Sequence, residues 1–163
     1  MRFNRKQKPE EFDYLADIKK YHQLYIQPRG GKAVGCPERE IQILENSSDF
    51  ELPLAYKQYL NWMGKDYSGA FVGSNCFITD IEANNEIVAD LLAENKVKFQ
   101  LPAHYLCYFT HQGYMAAWFE LPKQNDNPPV WFYNETMTSK QPVIEGDFTE
   151  VLFRDMQSLY PQK

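Results

Sequence analysis

The sequence contains little cysteine, and it has neither a long apolar run nor an excess of basic residues. The cysteines Cys36, Cys76 and Cys107 are odd in number and widely spaced, so we predict neither a disulfide framework nor a paired-cysteine metal motif. Free, buried thiols in a reducing cytoplasm are the expected state. The basic N-terminus leads into Pro-Glu-Glu, and no run approaches the ~18 apolar residues that cross a bilayer. The sequence therefore predicts a cytoplasmic protein with neither a signal peptide nor a membrane span.

Acidic residues outnumber basic ones, and this balance restricts the classes of partner. The 163 residues include 22 Asp and Glu against 17 Lys and Arg, which gives a net charge of −5 at pH 7. Proteins that bind nucleic acids neutralise phosphates with clusters of Lys and Arg, so we predict no direct nucleic-acid partner. An acidic surface instead speeds the approach of a basic protein. Aromatic residues make up 15% of the chain, enough for one core, and we predict a single domain over residues 1–163.

Apolar residues at helical spacing, together with residues that start or end helices, predict five helices. Proline favours the first helical position, glycine the position after the last turn, and Thr or Asp followed by Glu three residues later forms a capping box. The helices are expected at residues 9–25, from Pro37 to Asn46-Ser47-Ser48, from Leu52-Pro53 to Gly64, from Thr79 to about Glu94, and from Asp147 towards Pro161.

Three aromatic segments, at residues 105–110, 114–119 and 130–133, predict strands. The tripeptide His111-Gln112-Gly113 is short enough to join the first two as a hairpin, and one or two short strands are expected within residues 67–78. Pro128-Pro129 should lie outside any central strand. Because the strands are apolar on both faces, the sheet should be covered on both sides, at least in part. The order of elements predicts a single α+β domain with a mostly antiparallel or mixed sheet and flanking helices.

The geometry of a strand argues against a metal site at His104, Cys107 and His111. Cys107 and His111 would share a face but stand about 13 Å apart, at ~3.3 Å per residue. Ligands of one ion need donor atoms at about 2.0–2.3 Å from it, and His104 would point to the opposite face. We therefore predict no metal and no cofactor.

His111 is the one candidate general base, and it keeps a small hydrolase open as a remote alternative. Glu120 or Glu135, at strand ends, would orient its ring. No serine or cysteine lies in a nucleophile-elbow context. The simpler interpretation is that His111 and Gln112 hydrogen-bond the hairpin turn, while Gly113 supplies a backbone angle that other residues resist.

Short segments between Gly35 and Met156 follow one another in a distinctive order. They are Cys36-Pro37-Glu38, Glu40-Ile41, Glu45, Leu52-Pro53, Tyr56-Lys57, Tyr59-Leu60, Gly64, Gly73-Ser74, Ile78, Leu91-Leu92, Leu101-Pro102, Phe109, His111-Gln112-Gly113-Tyr114, Phe119, Pro128-Pro129-Val130, Tyr133, Glu135, and Phe148 near Leu152. In this order they resemble the Smi1/Knr4 superfamily, also called SUKH. The matched core covers about residues 35–156 and leaves the helix at 9–25 as an extension.

This resemblance implies an α+β interaction domain without catalytic residues. Bacterial members are largely regarded as immunity proteins that neutralise toxins, many of them nucleases, and eukaryotic relatives act in cell-wall signalling and as adaptors. We therefore expect a non-enzymatic immunity protein that binds a cognate toxin, with a basic nuclease among the candidates and an adaptor module as the alternative. The residues expected to contact the partner are Asp66, Tyr67, His111, Gln112, Tyr114, Asp126, Trp131 and Glu135.

Overall fold

A five-stranded antiparallel sheet lies between helices in the computed structural model, which describes residues 11–48, 50–67, 71–121 and 125–162. Strand order in the sheet follows the chain, and every neighbouring pair is antiparallel. The strands are β3 (Ser74–Asn75), β4 (Tyr105–His111), β5 (Met115–Glu120), β6 (Pro129–Asn134) and β7 (Val143–Asp147). A separate ribbon pairs β1 (Ala33–Val34) with β2 (Asp66–Tyr67). The predicted single α+β domain is confirmed.

The predicted aromatic strands are confirmed, but two features of the sheet differ from expectation. Strand β7 was not predicted, because its sequence contains a glycine and few apolar residues. In the structure Gly146 has a φ of 135°, and Ile144 is exposed, as is possible on an edge strand. Pro129 was expected outside a central strand and instead begins β6, which lies between β5 and β7. The first residue of a strand tolerates proline because the missing N–H interrupts no ladder there.

The described residues form five α-helices near the predicted positions. They are α1 (Ala16–Tyr21), α2 (Glu38–Ser48), α3 (Leu54–Met63), α4 (Ile81–Glu94) and α5 (Phe148–Leu159). Helices α2 and α3 begin directly after Pro37 and Pro53, as predicted. At α5 the Glu150 carboxylate accepts a hydrogen bond from the Asp147 backbone N–H at 3.0 Å, as expected of a capping box.

Two helix starts were predicted wrongly. The first helix begins at Ala16 and continues as a π-helix (His22–Ile26), whereas residues 9 and 10 of the predicted range lie outside the described residues. The capping box of Thr79 with Glu82 does not form, because the chain enters α4 through a 3-10 turn (Ile78–Asp80). Asp80 instead accepts a hydrogen bond from the backbone N–H of Phe77 at 2.9 Å.

Helices cover both faces of the sheet at least in part, as predicted. Helix α4 covers one face, where Val88 and Leu91 pack with Trp118 and Tyr133. On the other face, α3 and α5 meet the sheet through an aromatic cluster. In this cluster the ring of Tyr56 lies 5.2 Å from Phe119 and 5.5 Å from Phe148 between centroids. The three cysteines are buried free thiols, also as predicted.

A β-bulge in β4 determines which side chains reach each face. Cys107 pairs with Trp118 and Phe109 pairs with Ala117, so Tyr108 is the extra residue. Cys107 packs on the α4 side, while Tyr108 and Phe109 both lie on the α5 side. The Asn85 side chain accepts a hydrogen bond from the Cys107 backbone N–H at 2.7 Å and so satisfies a donor inside the bulge.

Within the described residues, no helix combines the length and the apolar character needed to cross a membrane.

Two glycines let the segment after β1 pack directly on the end of α3. The Cys36 backbone N–H donates to the Leu60 carbonyl at 2.8 Å. A Cβ on Gly35 would lie 1.7 Å from the Asn61 carbonyl oxygen. Gly64 follows α3 as predicted but has φ −67°, so it is no left-handed cap. Glycine is needed at this position for lack of space, because a Cβ there would lie 2.5 Å from the Cys36 sulfur.

We predict that Gly35→Ala lowers the free energy of unfolding by at least about 2 kcal/mol, because the methyl group meets backbone that cannot move aside. Urea denaturation measures this. The matched control is Gly30→Ala, where the new Cβ has open space and only the φ of +87° costs about 1 kcal/mol. Equal losses in the two variants would contradict the proposed backbone contact.

Candidate functional site

An apolar concavity lies between α5 and the sheet, near the β4–β5 hairpin. It consists of two adjoining cavities of about 300 and 510 Å³, which share four lining residues, and we call it the α5 groove. The shared residues are Phe71, Phe109, Met115 and Leu159. Concave apolar surfaces of this size are where proteins commonly bind other molecules.

The floor of the α5 groove follows from strand alternation and from the bulge. Met115 and Ala117 are two residues apart on β5 and face the same side. Phe132 on β6 continues this surface. The bulge adds the consecutive residues Tyr108 and Phe109, which a regular strand would place on opposite faces. The result is a broad aromatic floor.

One stripe of α5 forms the wall of the groove. Val151, Asp155 and Leu159 recur every four residues, so they lie above one another on the helix. Asp155 is therefore a carboxylate in an otherwise apolar row. Opposite this wall, Phe71 contacts Phe109 edge to face at 5.9 Å between ring centroids. Phe71 has a φ of 56°, a backbone conformation that is unusual for a bulky side chain.

Asp155 is the least compensated charge of the groove. Burial raises the pKa of its carboxyl from 3.8 to about 6, with a further rise from Glu145 and an opposing effect of Arg154. Arg154 is already engaged with Glu145, through a 3.0 Å ion pair and a 3.1 Å hydrogen bond to the Glu145 carbonyl. Among the residues that the structure describes, none donates a hydrogen bond to the Asp155 carboxylate.

Four of the eight residues expected to contact a partner lie together at the hairpin end of the sheet. His111 and Tyr114 line the open end of the α5 groove, and Gln112 is exposed at the turn between them. Glu135 is also exposed, and its backbone N–H donates to the Tyr114 carbonyl at 3.0 Å. Their role in binding remains a prediction.

The other four lie elsewhere. Asp126 is near the start of β6, the end of the sheet away from the hairpin, where its carbonyl accepts a hydrogen bond from Ala55 N–H at 2.8 Å. Trp131 is on the α4 face and packs against Phe99 at 5.0 Å between ring centroids. Asp66 and Tyr67 form β2 in the separate ribbon. The eight residues therefore do not form one surface.

The surroundings of His111 differ from the predicted base arrangement. Its Nδ1 lies 2.8 Å from the Ser74 hydroxyl, a cross-strand neighbour on β3. Glu120 pairs with Tyr105 at the far end of β4 and β5, so the prediction that it orients His111 is wrong. The expectation that Cys107 and His111 share a face is also wrong, because the bulge lies between them and Cys107 packs on the α4 side.

The hairpin turn itself is formed as predicted. The His111 carbonyl accepts a hydrogen bond from the Tyr114 N–H at 3.1 Å. Gly113 has a φ of 78°, the angle that other residues resist, and Gln112 shares it with a φ of 46°. The turn fixes how His111 and Tyr114 stand beside the groove, with their rings edge to face at 5.4 Å between centroids.

Sequence reasoning missed the residues that form most of the α5 groove, including Phe71, Phe109, Met115 and Leu159. The strands were predicted, but the bulge that gathers their rings leaves no trace in hydrophobic periodicity. Asp155 did leave a signal, because it interrupts the apolar spacing of Val151 and Leu159 on a predicted helix.

Comparison with known families matches residues 35–154 to the SMI1 / KNR4 family (SUKH-1). The matched range contains β2 to β7, α2 to α4 and the first half of α5, so it covers the whole five-stranded sheet. It ends one residue before Asp155. A comparison with curated proteins finds no match.

We predict that Asp155→Asn stabilises the protein at pH 8. The raised pKa means that the folded state holds this proton to higher pH than the unfolded state, so wild-type stability falls as pH rises from about 4 to about 6. The variant lacks this loss and should gain about 1–2 kcal/mol in free energy of unfolding at pH 8, with no gain at pH 3.5. Urea unfolding at both pH values is the measurement.

Asp90→Asn is the control for this prediction, because Asp90 is an exposed carboxylate on α4. Its unfolding free energy should stay within a few tenths of a kcal/mol of the wild type. If Asp155→Asn changes the free energy of unfolding at pH 8 as little as Asp90→Asn does, burial does not destabilise the charged form of Asp155.

Proposed function

Since the chain belongs to the SMI1/KNR4 family (SUKH-1), we propose that it is a non-enzymatic protein-binding domain that acts as an immunity protein for a cognate toxin in the cytoplasm. The observation that carries this proposal is the family match across residues 35–154, which covers the whole five-stranded sheet. The floor of the apolar groove lies within this range, and the C-terminal half of α5 completes its wall. Such a protein inhibits the toxin by covering its active site, which requires a surface of complementary shape and no catalytic residues.

The distribution of polar groups around the α5 groove supports binding in preference to catalysis. His111 lines one of the two cavities and Asp155 lines the other. The shared residues between them are all apolar. A nucleophile, its base and an orienting acid act within hydrogen-bond reach of one another, and the groove gathers no such set among the described residues.

Size and charge favour a basic protein as the partner. A stable protein–protein interface buries about 1,600 Å² in total, more than the groove alone offers, so the groove would form the centre of a larger contact. Aromatic residues at the centre of an interface carry much of its affinity. The net charge of −5 would speed the encounter with a basic toxin, such as a nuclease.

We predict that the protein protects cells from a toxin encoded by a neighbouring gene. Co-expression of the two proteins in a bacterial host should restore growth, and the purified pair should elute as one complex in size-exclusion chromatography. A variant with Met115→Glu and Leu159→Glu should lose at least about tenfold in affinity, because each carboxylate must be desolvated on binding.

The matched control carries Ile43→Glu, an exposed apolar residue on α2 that does not line the groove. It should protect as the wild type does. Growth arrest that persists although the wild-type protein is folded and abundant would contradict the immunity proposal. A complex with a protein that is not toxic would instead indicate an adaptor.

A further inference from the structure

We propose that the α5 groove binds a segment of the partner in which an apolar side chain stands next to an arginine or lysine. The apolar group packs among Phe109, Met115 and Leu159, and the cation pairs with Asp155. This assignment rests on the proposed function as a protein-binding domain, and it adds the chemistry of the bound segment.

The apolar part of this specificity follows from surface that the fold leaves uncovered. Phe71, Phe109 and Phe132 line the groove and are only partly buried. At its rim, Leu159 has 46% of its surface exposed and Val72 has 83%. Exposed apolar groups gathered in a concavity mark a binding site, because a ligand that covers them releases their hydration water.

The cationic part follows from the charges that face the groove. The charged groups that line the 300 Å³ cavity of the groove are Glu145, Arg154 and Asp155. The first two neutralise each other through their ion pair, which leaves one negative charge on the wall. A guanidinium or ammonium group would supply the hydrogen bonds that the Asp155 carboxylate lacks, and charge-assisted hydrogen bonds are the stronger kind. Arginine has the further advantage that it stacks on aromatic rings such as those of the floor.

The same charges argue against other occupants. An acidic peptide would place its carboxylate beside Asp155 in a partly desolvated site, where like charges repel strongly. A wholly apolar ligand would bury the Asp155 carboxylate further without a partner, and this desolvation offsets part of the free energy that the hydrophobic contact contributes. An apolar group beside a cation satisfies both parts of the groove.

Methyl NMR with short peptides tests this inference without any toxin. The protein is labelled at the methionine methyl groups, and Met115 reports directly on the groove floor. Four hexapeptides differ only in their central pair, which is Phe-Arg, Phe-Gln, Phe-Glu or Ser-Arg. We expect the Phe-Arg peptide to shift the Met115 signal and to bind at least about tenfold more tightly than the Phe-Glu peptide.

Two variants and one control identify the contacts. Asp155→Asn should abolish the preference for Phe-Arg over Phe-Gln, and Leu159→Glu should weaken all the Phe peptides. Ile43→Glu should leave the titration unchanged, because this residue lies outside the groove. All three variants alter exposed or partly exposed side chains, so each should fold. The spectrum of each variant without peptide checks that it is folded.

The inference is overturned if no peptide shifts Met115, if Phe-Glu binds as well as Phe-Arg, or if Asp155→Asn keeps the preference for arginine. These outcomes leave the proposed function standing, because toxin protection and complex formation are measured separately. Conversely, a failure of protection with a positive peptide titration would retain the groove's specificity and remove only the immunity role.

Discussion

The hydrogen bond between the Asn85 side chain and the Cys107 backbone N–H holds an irregular strand against α4, and the arrangement of both cores depends on that irregularity. An antiparallel sheet buried on both faces requires each side chain to go to the correct core. The extra residue at Tyr108 resets the alternation of β4, so the strand supplies rings to the α5 side and a thiol to the α4 side. Asn84 strengthens the same junction by accepting a hydrogen bond from Thr110 at 2.8 Å.

Most of the fold could be predicted because its signals are local. Proline before α2 and α3, the Asp147–Glu150 cap and the aromatic runs each act within a few residues, and each appears where expected. The failures are of another kind. An inserted residue, such as Tyr108, becomes visible only when two strands are paired, and β7 owes its place to pairing with β6 rather than to its own composition.

The candidate site could be predicted only in part, for a related reason. Residue type and family resemblance directed attention to exposed rings and acids, and these proved to lie at both ends and on both faces of the sheet. The α5 groove combines Phe71, four strands (β4 to β7) and one helix stripe, several of which are distant in sequence. Long-range packing creates such a surface, and no spacing rule describes it. Asp155 is the exception, since an acidic residue among the apolar positions of a predicted helix can be recognised in the sequence.

The pairing of Arg154 with Glu145 also affects the free border of the sheet. Strand β7 is an edge strand of the sheet, and the Arg154 guanidinium donates a hydrogen bond to the Glu145 main-chain carbonyl. Unpaired main-chain groups on an outermost strand invite foreign strands to add on, which leads to aggregation. The hydrogen bond that the Glu145 carbonyl already accepts, together with the irregular register beside Gly146, makes this border a poor template. This border of the sheet therefore resists pairing with the sheet of a second copy of the protein.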